Sequence, residues 1–150
     1  MSPASIKRSA LCNLLRQSVV TASTALETYL PLLLRNNLPT VIRQRGRYFV
    51  PKKDEEIKNQ FKNLTFSLDE MVRILADPDP LFVANKMISS LNFSYLSGKR
   101  GIHVTGVLLA LDHPWSLIAQ QLGRDETEIK KTLDATVKRR NDIVHRADRS

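Results

Sequence analysis

Apolar residues recur every three or four positions from residue 5 to residue 36, at Leu11, Leu15, Val19, Ala22, Leu26, Tyr29 and Leu33, the spacing of one face of a long helix. That stripe is read as core packing, with Pro31 bending the helix near its end. From 36 to 53 the chain carries Pro39, Gly46 and Pro51 and reads as a connection, with a short extended piece at Tyr48, Phe49 and Val50. Two short helices are expected over 54–64 and 67–76, the second capped by Ser67 with Glu70 in the box position. Asp77-Pro78-Asp79-Pro80 then stops the chain, and Asp79 as N-cap with Pro80 at the first helical position opens a helix to about residue 96. Leu81, Ala84, Ile88, Leu91 and Tyr95 are its expected buried face.

Ser97-Gly98-Lys99-Arg100-Gly101 reads as a basic turn and lacks the spacing of a phosphate-cradling P-loop. Val104 and Val107 fit either a short strand or a helix broken at Gly106. A helix over 114–122 should place Trp115 and Ile118 in the core and end at Gly123. The last helix begins at Asp125 with Glu128 as its reciprocal carboxylate, and no glycine or proline interrupts it. At about 100° per residue, Ile129, Leu133, Val137, Val144 and Ala147 share one stripe, with Lys131, Lys138 and Asp142 opposite. The pattern predicts an all-α bundle with long first and last helices, and 150 residues fit one domain with a real core.

Charge narrows the partners. The net charge is +8 with a sequence pI near 9.9, which suits a polyanion or plain solubility. Residues 1–50 hold seven basic groups against one acidic, Glu27, whereas each later third holds eight against seven. Arg43, Arg45 and Arg47 alternate beside Tyr48 and Phe49, an arrangement able to hold a nucleic-acid backbone and stack a base; a solvated loop with two aromatics tucked into the bundle is the other reading. The apolar runs are far short of a membrane span, nothing resembles a secretory signal, and the single Cys12 cannot form an internal disulfide, so a cytoplasmic protein without membrane association is expected. Cys12 is read as a packed small hydrophobe. His103 and His113 have no ligand-spaced partners and are read as structural or surface residues; Asp77 and Asp79 are explained by turn formation. No metal or other cofactor is expected.

Arg140 falls in the middle of the last helix's apolar stripe. A guanidinium on a core-facing line is costly unless an anion meets it, either a carboxylate of the same fold or a ligand phosphate. Asn141 and His145 are four apart and so are neighbours on one flank, while Arg140 and His145 stand about 140° apart on an ideal helix. Only the length of the arginine, or a second copy of the helix, brings both onto one substrate.

Arg140, four residues, then His145, with the polar Asn141 straight after the arginine, resembles the R-x4-6-H signature of the HEPN domains. Arg139-Arg140-Asn141 leading through Ile143-Val144-His145 to Asp148 is similar to the RiboL-PSP subgroup, as is the opening helix from Arg8 through Ala25-Leu26-Glu27-Thr28-Tyr29-Leu30. The middle of the chain matches only in being helical. Ala147 stands where the subgroup commonly has glycine, so the last helix is expected to continue past His145.

The resemblance implies a single HEPN-like helical domain over 1–150 and a metal-independent endoribonuclease whose two protomers face their motif helices across a shared cleft. It implies RNA as substrate, a homodimer, and a toxin or phage-defence role under a regulatory or antitoxin protein. Arg140 would bind the scissile phosphate, His145 exchange a proton with the attacking 2′-hydroxyl or the leaving oxygen, Asn141 orient either group, and Arg139 make an outer phosphate contact. The alternative is a catalytically silent module of the same fold, serving dimerisation or the binding of protein or RNA, in which Arg140 pairs with an internal carboxylate. A simple binder using only the basic N-terminal part is a third reading, without helix-turn-helix or zinc-finger spacing to support it.

Overall fold

A computed structural model describes residues 3–46, 54–91 and 98–147, with side chains from residue 8 to residue 145 within them. Among the described residues there are seven α-helices and no strand: α1 (Pro3–Arg45), α2 (Glu55–Phe61), α3 (Leu68–Ala76), α4 (Pro80–Ser90), α5 (Lys99–Leu108), α6 (Pro114–Leu122) and α7 (Glu126–Ala147). The described residues adopt the expected all-helical architecture with long first and last helices. No described helix is long and apolar enough to cross a membrane.

α1 is the spine, packed against α4, α5 and α7; α5 and α6 pair, and α6 rests on α7. Its 43 residues run for about 65 Å at 1.5 Å per residue. The helix continues through Pro31 and Pro39 to Arg45, so the connection expected from residue 36 begins ten residues later. Each proline removes one backbone hydrogen bond. Burial outweighs that loss, because Leu30, Leu34 and Leu38 form a stripe of spacing four that joins Ile57, Ala84, Met87, Ile88, Leu91, Val104 and Leu108 in the core. The anticipated extended piece at Tyr48, Phe49 and Val50, like Arg47, lies outside the described residues.

Several positions of α1 depart from the expected core stripe. Leu11, Leu15 and Tyr29 are 58–60% exposed and Cys12 is exposed too, so none is core. Leu15 and Cys12 border an open groove with Arg139 and Ile143 of α7, and Tyr29 borders another with Ile102 of α5 and Leu117 of α6.

Local chemistry sets most other boundaries. Asp54 accepts from the Ile57 N–H at the start of α2, and Ser67 and Glu70 form the anticipated reciprocal box at α3. Lys86, with the Ser67 N–H, holds the Glu70 carboxyl below its usual range and ties α3 to α4. α3 nonetheless has no buried residue, and Leu68, Met71, Val72 and Leu75 stay exposed. Asp79 caps α4 and Pro80 opens it as expected, but α4 stops at Ser90 and Leu81 is exposed; Tyr95 lies outside the described residues.

α5 settles the ambiguous segment as a helix. Gly98 is its N-cap, so Lys99 and Arg100 are the first helical turn and no plain turn, and they pair with Asp134 and Glu56. The helix continues through Gly106, whose role is close approach: a Cβ there would stand 2.4 Å from Pro114 Cβ and 2.7 Å from its Cγ. We expect Gly106→Ala to destabilise the fold by about 1–3 kcal/mol in denaturant titrations, the usual scale of overpacking. Retention of the wild-type midpoint would show that α6 can shift freely from α5.

Candidate functional site

α1 and α7 pack along one another antiparallel, because Ile143 near the end of α7 shares a groove with Leu15 and Val19 while Arg140 reaches further along α1 to Glu27. Asp125 caps α7 by accepting from the Glu128 N–H, but the Glu128 carboxylate is taken by Arg124, so the expected box is half formed. The helix continues to Ala147, past His145, as the missing glycine anticipates.

Ile129, Leu133, Val137, Arg140 and Ile143 are the half-buried line of α7, whereas Val144 is 39% exposed. The apolar seam therefore drifts by one residue from the expected stripe. Arg140 lies in the middle of the seam on either reading, half-buried between the helices. Its Nη2 lies 3.2 Å from Glu27 Oε1 and 3.3 Å from Oε2, and its Nη1 donates to Asn141 Oδ1 at 3.2 Å. Both partners are only partly covered, with side chains 30% and 25% exposed. Arg140 Nε is enclosed without a protein acceptor, and Ser23 Oγ, one turn before Glu27 on α1, is likewise enclosed without a partner.

Arg139 is exposed on the flank beside this seam. It lines a groove of about 240 Å³ between α1 and α7 together with Cys12, Leu15, Arg16, Val19 and Ile143. Two arginines from different helices therefore border one apolar-floored groove, a fit for a phosphate backbone. Arg16 lines this groove although the sequence pattern did not single it out. Its signal was present, since residues 12, 15, 16 and 19 share one helical face, but nothing in a single sequence says which face α7 covers.

The other candidates divide. Asn141 touches Arg140 and is exposed; His145 is exposed one turn beyond Asn141, and among the described residues no hydrogen bond joins it to Arg140. Within one chain the structure joins Arg140 to Asn141, turns Arg139 to the separate groove beside Arg16, and leaves His145 on an open flank. Arg43 and Arg45 occupy the last turn of α1 rather than a loop, and Arg45 Nη2 donates to the Ala110 carbonyl at 3.2 Å. They sit about 24–27 Å along α1 from Glu27, by the 1.5 Å rise per residue, and so do not share the motif's groove in one chain.

His103 is held structurally, its Nε2 3.2 Å from Asp54 Oδ2 while the other oxygen of Asp54 caps α2. His113 takes a left-handed backbone conformation as N-cap of α6, φ 53°, and is exposed. Among the described residues no three His, Cys, Asp or Glu side chains are grouped to hold a metal ion. Comparison of the chain with protein-family models, with curated proteins and with solved structures finds no match.

Proposed function

We propose that the chain is a metal-independent endoribonuclease of HEPN type, cutting RNA by attack of its own 2′-hydroxyl at a site that two copies complete, with a toxin or phage-defence role. The observation that carries this reading is the placement of Arg140: an arginine held in the α1–α7 seam, partly solvent-accessible and touching Asn141, on the same pair of helices that form the Arg16–Arg139 groove. In the proposed reaction the 2′-oxygen attacks phosphorus as the bond to the 5′-oxygen breaks. Arg140 neutralises charge on the phosphoryl oxygens, and His145 takes the proton from the nucleophile or gives one to the leaving oxygen.

A second copy answers the separation of Arg140 and His145 within one chain. Leu11, Leu14 and Leu15 are 58–65% exposed on the half of α1 that runs beside the motif end of α7. An apolar patch on that face suits association of two copies, bringing two motif helices together.

The second reading, a silent helical module for dimerisation or protein binding, is favoured by one contact: Glu27 already supplies Arg140 with an internal carboxylate. Incubation of the purified full chain with single-stranded RNA in EDTA, beside a DNA of the same sequence, separates the two. The nuclease is expected to cut the RNA, leave the DNA intact and run as a dimer in light scattering. Intact RNA from a folded dimer favours the module.

A further inference from the structure

We propose that Glu27 is a resident anion on Arg140 which a substrate phosphate displaces, so that Glu27 restrains the site; the inference rests on the reading of Arg140 as a phosphate ligand given above. Its first support is compositional. Glu27 is the sole acidic residue of the 43-residue α1, which carries six lysines and arginines, and it is placed against the motif arginine. Repulsion among those cations does not require an acid at that point, since the net charge of the helix stays strongly positive with it.

The second support is the quality of the pairing. Both carboxylate oxygens lie on the one nitrogen Nη2 at 3.2 and 3.3 Å, longer than the roughly 2.7–2.9 Å of a good charge-assisted bond and without the parallel two-nitrogen fork that arginine offers to carboxylate or phosphate. Nε is enclosed and unused. The inward Arg140 is therefore an incompletely satisfied cation, and a phosphodiester with two free oxygens is a better match for two of its N–H groups. With 30% of the arginine and 25% of the glutamate side chain exposed, a ligand reaches the pair without opening the core.

The third support is a place for Glu27 to go. Ser23 stands four residues before it on α1, with a hydroxyl that is enclosed and has no partner; at that spacing it can donate to the Glu27 carboxylate once Arg140 turns outward. Displacement then exchanges one loose ion pair for a phosphate fork outside and a serine–glutamate hydrogen bond inside.

The test is equilibrium binding of a fluorescent single-stranded RNA carrying 2′-O-methyl groups throughout, which the proposed chemistry cannot cut. Glu27→Gln is expected to bind it about tenfold more tightly than wild type, and the gain is expected to vanish in an Arg140→Ala background. Glu27→Asp, which keeps the charge but withdraws it by one methylene, is expected to fall between and serves if the glutamine variant does not fold. Equal or weaker binding by folded Glu27→Gln and Glu27→Asp overturns the proposal, as does Arg140→Ala that binds like wild type. Cleavage of unmodified RNA is scored separately: its absence in every variant removes the nuclease reading, whereas the binding comparison still decides whether Glu27 competes for Arg140.

Discussion

His145→Ala is expected to slow RNA cleavage by about 10²–10⁴-fold, the range over which a positioned proton-transfer group contributes, while the protein folds as before. The separation of the two effects follows from position. His145 is exposed on the last turns of α7, so removing its ring takes nothing from the core, and stability should stay within about 0.5 kcal/mol of wild type. Affinity for the uncuttable 2′-O-methyl RNA should change little, because the phosphate ligands are the arginines. Initial rates on end-labelled RNA, beside a melting curve and a binding isotherm, give all three values from one preparation. Cleavage by the variant at the wild-type rate would remove His145 from the reaction and point to a contaminating enzyme or another site.

Helix identity was written plainly where local chemistry decides it. Ser67 with Glu70, Asp79 with Pro80, and Gly123 in its left-handed conformation at φ 60° each act within one turn, and each falls where expected. What one sequence hides is which partner a helix meets. Pro39 and Gly46 signal a loop, yet α1 runs on to Arg45 because Leu34 and Leu38 are completely buried against elements far along the chain. Gly106 looks like a helix breaker, and is instead the gap that admits Pro114.

The candidate site obeys the same division. That Arg140 needs an anion was legible from its place on an apolar line. That the anion is Glu27 was not, since 113 residues separate them and only the antiparallel packing of α1 and α7 brings them together. The one-residue drift from Val144 to Ile143 has the same origin: α7 offers two adjacent apolar residues, and α1 covers one of them.

Arg140 is where structure and proposed chemistry meet, and its variants should separate the two. Arg140→Ala is expected to lower cleavage by about 10²–10³-fold, the usual loss when one transition-state donor is removed, and to cost about 1–2 kcal/mol of stability by leaving Glu27 partly buried without its cation. The full penalty of a broken interior pair does not apply, because water reaches both side chains. Joining Glu27→Leu to Arg140→Met should recover most of that stability, since both charges leave together and apolar volume fills the seam. The double variant should remain inactive, because stability was never what the reaction lacked. Arg140→Lys completes the argument: it keeps the charge opposite Glu27 and so should keep the fold, but a point charge cannot grip two phosphoryl oxygens, and cleavage should fall nearly as far as in the alanine variant. If the double variant cut RNA like wild type, Arg140 would be a tie between α1 and α7 and nothing more, and the helical module would be the reading left.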